Sequence, residues 1–212
     1  KFNKDLKNYS INELDNYFDD SIQLTDTIIA LPGRITERKG IIEALHAIKE
    51  VNLYQHVKLL LTGMSDPYSK NFANIIRKTA NDLQITNNIL IPNKNIPRKL
   101  MPIVYKRSNI VITPSYYEGL GFTAIEALAA GRPLICTDVP GLNEVGINRK
   151  NCLMIPPRNS KKLAKTIVRL LNDDVLTQKI SDNGPKSIKK FDMKKFVDFV
   201  EKTYVTLINK NN

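Results

Sequence analysis

The sequence predicts an α/β domain in which a doubly wound parallel sheet is flanked by helices. Short apolar runs of strand length alternate with segments of helical period along most of the chain. The first of these runs close on Pro32-Gly33 and Gly63, as strands that hand over to a crossover helix do. A length of 212 residues suffices for one well-packed domain and falls short of two full ones.

Residues 1–25 are polar, rich in Asn and Asp, and show no matching strand, so they read as a linker with a short helix over 11–18. The domain proper is expected over 26–212. Residues 26–31 form its first strand, and 38–51 an amphipathic helix with Ile42, Leu45 and Ile48 on one face. A strand over 57–62, a helix over 68–83 and a short strand over 88–91 follow. Residues 97–107 are helical, with Leu100, Val104 and Ile103 facing inward. A strand over 110–113 leads to a helix over 121–130, stopped by Gly131. Strands over 134–137 and 152–155 complete the sheet, and 160–171, 174–190 and 194–210 are terminal helices. Ligands of such folds bind beyond the carboxyl ends of the strands. Functional residues therefore belong in the loops after Leu31, Gly63, Ile91, Thr113 and Thr137.

Composition bounds the function classes. Hydrophobic residues at 42% and charged residues at 25% are ordinary for a globular protein. No apolar run approaches the roughly 20 residues of a membrane-spanning helix. The start at Lys1-Phe2-Asn3 shows no signal-peptide core and no initiator Met, which points to an excised domain. Cys136 and Cys152 are too few for a secreted disulfide framework, so a reducing cytoplasm is expected, with a bond between the two as the alternative. The net charge of +11 is compatible with nucleic acid, anionic membrane or phosphorylated small molecules. Much of the excess is Lys on helix-like stretches such as Lys161-Lys162 and Lys194-Lys195, where solvated faces explain it. A nucleic-acid surface would interleave aromatics with Arg, whereas here the Tyr and Phe are scattered and the cations are mostly Lys.

The loop Pro32 to Gly40 joins a strand to a helix, with Gly33 and Gly40 at its ends and Arg34, Arg38 and Lys39 within it. Glycine allows close backbone approach, and a helix start offers free N–H groups and a positive dipole end. Arg34 and Lys39 can converge there on a diphosphate, Arg with paired donors and Lys as a point charge. A solvated basic loop is the competing reading, and no Walker sequence is present.

The stretch from Pro114 to Gly131 is more specific. A strand runs into a turn bearing Gly119 and Gly121, whose N–H groups can form a concave anion site. Glu118 sits at the turn and Glu126 eight residues later on an Ala-rich helix. Were the whole stretch helical, eight residues would span roughly 12 Å and return to within about 80° of the same face. That separation suits the two ends of an extended ligand, each carboxylate accepting from vicinal sugar hydroxyls. The competing reading makes Glu118 a cap and Glu126 a surface residue, but Ile125, Leu128 and Ala129 imply packing there, so Glu126 needs a partner. His46 reads as structural, His56 as a loop residue, and Ser115 as turn chemistry.

The Glu118-x7-Glu126 spacing, with Gly119, Gly121 and Phe122 between, resembles the donor-site pattern of retaining glycosyltransferases of family four, which have the GT-B fold. The loop from Gly33-Arg34 to Lys39-Gly40 is similar to that family's diphosphate-binding loop. Thr137 to Glu144, with Pro140, Gly141 and Glu144, resembles its loop-to-helix segment near the donor, and Gly63 matches the glycine closing the second strand. The resemblance covers about residues 26–208. It implies a Rossmann-like half of a GT-B enzyme, the C-terminal donor-binding domain. Arg34 and Lys39 would neutralise the donor diphosphate, whose charge develops as it leaves. Glu118 would bind the transferred sugar with the amides of Gly119, Leu120, Gly121, Phe122 and the neighbouring Thr123. Glu126 would bind the ribose, and Ile91 and Pro92 would pass near the base. The donor would be a UDP-, GDP- or ADP-linked sugar, with no metal or other cofactor and with the leaving phosphate deprotonating the incoming hydroxyl. The resemblance also implies an acceptor-binding N-terminal domain outside this chain and a cytoplasmic location, with peripheral contact to an anionic membrane. Phe196, Val200, Tyr204 and Leu207 resemble the helix that crosses back onto that domain; packing on their own domain is the alternative. A non-catalytic nucleotide- or phosphosugar-binding module of the same fold is the competing function.

Overall fold

The computed structural model describes residues 13–19, 22–63 and 70–210. Six strands pair in one all-parallel sheet: β1 (Ile28–Leu31), β2 (Lys58–Leu61), β3 (Ile89–Leu90), β4 (Ile110–Thr113), β5 (Leu134–Thr137) and β6 (Leu153–Ile155). Their order is β3-β2-β1-β4-β5-β6. Ile29 lies opposite Leu59 on one side and Ile110 on the other, and Ile135 opposite Leu153. The helices are α1 (Ile41–Val51), α2 (Lys70–Asp82), α3 (Met101–Arg107), α4 (Phe122–Ala129), α5 (Leu142–Val145), α6 (Ser160–Asn172), α7 (Asp174–Ser187) and α8 (Met193–Lys210).

Strands covered on both faces are apolar at consecutive positions, because neither side meets water. Along β1, Ile29 and Leu31 pack with Leu45 and Ile48 of α1 and Leu163 and Ile167 of α6. Ile28 and Ala30 point the other way, onto Leu100, Ile103 and Val104. Beyond β1 that second face continues as Val111, Leu134 and Cys136 against Ala124, Ala127 and Leu128 of α4. Cys136 and Cys152 are buried free thiols with their Sγ atoms 3.7 Å apart.

Several boundaries differ from the sequence expectation for physical reasons. The helix expected from residue 38 begins at Ile41, after a 3-10 turn over Glu37–Lys39 and Gly40 at φ +66°. A Cβ on Gly40 would lie 2.1 Å from the Pro114 carbonyl oxygen, so the loop after β1 is pressed onto the loop after β4. The helix expected over 97–107 opens as a 3-10 turn, Arg98–Leu100, and that expected over 174–190 ends in one, Ile188–Phe191. The start of the helix expected over 68–83 lies outside the described residues. So do residues 11–12 of the helix expected over 11–18, of which one 3-10 turn, Asp15–Tyr17, is described. The segment before β1 is also more than a linker. Leu14, Phe18 and Ile22 are buried against β1 and α3, and Arg107 donates to the carbonyls of Gln23 and Asp26.

The last helix leaves most of its apolar residues exposed, although Val200 is half-buried. Phe196, Phe199, Tyr204 and Leu207 of α8 are all more than half exposed. Among the described residues no helix is long and apolar enough to cross a membrane.

Candidate functional site

The strand order reverses between β1 and β4, so the loops that follow them diverge and open a crevice at the carboxyl edge of the sheet. Gly33, just after β1, donates its N–H to Thr62 Oγ1 over 3.0 Å. Gly63 packs against the Gly33 carbonyl, which fixes the start of the loop. At the loop's far end Lys39 turns inward, and its side chain is only 8% exposed. Its Nζ donates to Glu118 Oε1 over 2.6 Å. Arg38 donates to Glu118 Oε2 over 2.9 Å, and Ser115 Oγ to Oε1 over 2.9 Å. The Tyr116 N–H donates to the Arg38 carbonyl over 2.8 Å, tying the two loops together through the backbone. Arg34, on the same loop, is exposed.

Burial alone would raise the Glu118 carboxyl. The hydrogen bond and charge of Lys39, with the bonds from Arg38 and Ser115, outweigh it and hold the group below its ordinary value of 4.5. A lowered carboxyl favours the folded state wherever it is ionised. Its contribution is complete above that ordinary value and fades as pH falls through the lower folded value. The stability difference between wild type and Glu118→Gln should accordingly stay level from about pH 7 to 5 and shrink below about pH 4, as read from urea unfolding. A difference that shrinks towards neutral pH would contradict the ion pairing.

The turn then delivers the chain to α4. Gly121, at φ +69°, precedes Phe122; its carbonyl accepts from the Ala124 and Ile125 amides, which leaves the Phe122 and Thr123 amides at the start of α4 without a backbone acceptor among the described residues. Thr123 Oγ1 is buried without a hydrogen-bond partner. A Cβ on Gly33 would sit 3.6 Å from Thr123 Cγ2, so the loop after β1 faces the start of α4 directly. Gly141, at φ +83°, backs the turn: a Cβ there would come within 2.4 Å of the Gly119 carbonyl oxygen and 2.5 Å of that of Glu118. Pro140 and Glu144 on either side of it are exposed, and the Glu144 carbonyl accepts from Lys190 Nζ over 3.1 Å.

Glu118 and Glu126 do not share one continuous helix, since Glu118 belongs to the turn and Glu126 to α4. The partner that packing requires for Glu126 is Tyr105 on α3, whose hydroxyl donates to Oε2 over 2.8 Å. Leu120, Phe122, Ile125 and Glu126 line, with Arg98 and Phe196, a cavity of about 640 Å³. Ile91 and Pro92, beyond β3, line a different cavity of about 330 Å³ with Arg77 and Asn81. The structure thus gathers Gly33, Lys39, Glu118, Thr123 and Gly141 into one cluster. Glu126 stands further along α4, and Ile91 and Pro92 stand apart.

Residues 15–187 match the family described as Glycosyl transferases group 1. The chain belongs to that family. It is 29% identical over 187 residues to the capsular polysaccharide biosynthesis glycosyltransferase CapM of Staphylococcus aureus, covering 87% of this chain and 47% of that protein. Among solved structures it resembles the sucrose-phosphate synthase of Thermosynechococcus elongatus, with 26% identity and a TM-score of 0.81 over 94% of this chain and 49% of that one. The fold is also that of Anabaena Alr3699/HepE, solved in complex with UDP-glucose, with 17% identity and a TM-score of 0.78 over 86% of this chain and 49% of that one. The structural neighbours are GT-B glycosyltransferases. The chain spans less than half the length of the curated relatives it matches.

Three residues of this glycosyltransferase domain lie in the cluster or against Glu126 without having been expected there from sequence. Arg38 looks no different from Arg34 in the sequence, and only the 3-10 turn before Gly40 aims it at Glu118. Ser115 was legible as turn chemistry but not as a donor to Glu118. Tyr105 sits one position past the inward-facing Val104, and a phenol at an apolar position was the available signal. Among the described residues no group of three His, Cys, Asp or Glu side chains is placed to hold a metal ion.

Proposed function

We propose that this chain is the C-terminal, donor-binding half of a retaining glycosyltransferase of family four that works without a metal. The observation that carries the reading is the meeting of Lys39 and Glu118, from the loops on either side of the sheet's switch point, beside the open first turn of α4. A nucleotide diphosphate suits that place. The Lys39 ammonium has three donors and gives one to Glu118, leaving two for phosphate oxygens. Arg34 adds charge from the same loop, and the α4 amides with Thr123 Oγ1 supply further donors. Together they stabilise the charge that grows on the diphosphate as the glycosidic bond breaks. Glu118, kept ionised, accepts from a hydroxyl of the transferred sugar. Glu126 accepts from the ribose, and the base reaches towards Ile91 and Pro92. The leaving phosphate takes the proton of the incoming acceptor hydroxyl, so this half needs no separate base.

The UDP-glucose complex of Anabaena HepE supports a nucleotide-sugar donor for this fold. The exposed apolar residues of α8 support contact with an acceptor-binding domain of a longer protein. Calorimetric titration of the chain with UDP, GDP and ADP, and then with their sugar conjugates, tests the reading. One nucleotide should bind selectively, with the same affinity in chelator. Arg34→Ala should weaken that binding by more than about 1.5 kcal/mol, the scale of a charged hydrogen bond. Absence of nucleotide binding in both this chain and the full-length protein would remove the donor-site assignment.

A further inference from the structure

Tyr105 is fully buried between the sheet and α4, among Val111, Ala124, Ala127, Leu128 and Leu134. Phenylalanine would fill the same space without bringing a hydroxyl into an apolar cluster. A buried hydroxyl is costly unless it finds an acceptor. Here the acceptor is Glu126 Oε2 at 2.8 Å, with the Thr123 carbonyl at 3.5 Å as a weaker second contact. The pair joins two helices: α3 carries the donor and α4 the carboxylate. Oε1 of Glu126 accepts no hydrogen bond among the described residues, and Glu126 lines the cavity of about 640 Å³.

We propose that Tyr105 is the positioning residue for Glu126: its hydroxyl fixes the carboxylate through Oε2, so that Oε1 and the remaining Oε2 lone pair face the cavity and select a ribose diol over a deoxyribose. This rests on the reading of Glu126 as the ribose ligand. Burial, followed by the charge and hydrogen bond of Glu126, pushes the Tyr105 phenol well above its ordinary value, which keeps its proton in place and the hydroxyl a donor at every working pH. A carboxylate held at one oxygen presents the other in a single orientation. Without that restraint Glu126 can rotate about its terminal bond and lose the geometry that two adjacent hydroxyls require.

The test is a comparison of Tyr105→Phe with wild type, by calorimetry, on whichever of UDP, GDP and ADP the chain binds and on its 2′,3′-dideoxy form. Wild type should prefer the ribonucleotide by about tenfold or more, the scale for leaving a site's polar group unpaired. Tyr105→Phe should cut that preference by at least about threefold while leaving the dideoxy affinity unchanged. In a Glu126→Gln background the same substitution should have no further effect on the preference, because the group it positions is gone. A Tyr105→Phe protein with the full ribose preference would overturn the inference. So would an equal loss for both nucleotides, which marks a packing role. A wild type that binds nucleotide without preferring ribose would remove the Glu126 reading itself, and absence of nucleotide binding in both this chain and the full-length protein would remove the donor site.

Discussion

Replacing Gly141 with alanine should cost about 3 kcal/mol of stability and most of the nucleotide-sugar affinity, although its side chain would touch no ligand. Its φ of +83° lies where L-residues are strained, at roughly 1–2 kcal/mol. The larger part comes from the added Cβ, which would lie 2.4 Å from the Gly119 carbonyl and 2.5 Å from that of Glu118. Both are backbone atoms of the turn that carries the Glu118 carboxylate. They cannot yield without moving Glu118 away from Lys39, Arg38 and Ser115. Gly119→Ala is the control, because a Cβ there would meet nothing within 4 Å. It should cost less than about 1 kcal/mol. Urea unfolding of the two variants reads the stabilities, and titration with the nucleotide sugar reads the site. Equal stabilities for the two variants would mean that the turn is not buttressed by the segment before α5.

The sheet was legible because strands buried on both faces leave apolar runs such as Ile28–Leu31 and Ile110–Thr113 in plain sight. Boundaries failed where a contact distant in sequence decides them. The start of α1 depends on Gly40 meeting Pro114, and no local pattern around residue 38 encodes that meeting. The segment before β1 reads as a linker because its polar composition hides Leu14, Phe18 and Ile22, four residues apart, whose burial needs α3 beside them. The spacing of Glu118 and Glu126 could be read directly, as could the basic loop before α1. Which cation reaches Glu118 could not. Arg34, Arg38 and Lys39 are alike in a sequence, and the 3-10 turn over Glu37–Lys39 sorts two of them towards Glu118. Tyr105 escaped for the same reason: its acceptor lies 21 residues away on another helix.

Lys39→Ala should lower stability by about 2 kcal/mol and weaken nucleoside-diphosphate binding by at least tenfold. The two losses have different origins, and Glu118→Gln separates them. Both side chains of the Lys39–Glu118 pair are 8% exposed, so removing the cation leaves a poorly solvated carboxylate dependent on Arg38 and Ser115. A glutamine at 118 is neutral and carries no such penalty. The double variant Lys39→Ala/Glu118→Gln should therefore be more stable than the sum of the single losses predicts. Binding should behave otherwise. Glu118→Gln should spare the free nucleoside diphosphate and reduce only the extra affinity contributed by the sugar, whereas any protein lacking Lys39 should bind diphosphate weakly. In the full-length protein Lys39→Ala should lower kcat by about a hundredfold or more, the effect of removing one preorganised group at a developing charge. If the double variant recovers diphosphate affinity together with stability, Lys39 acts only by holding Glu118. The cation that stabilises the leaving group must then be sought in Arg34 or Arg38.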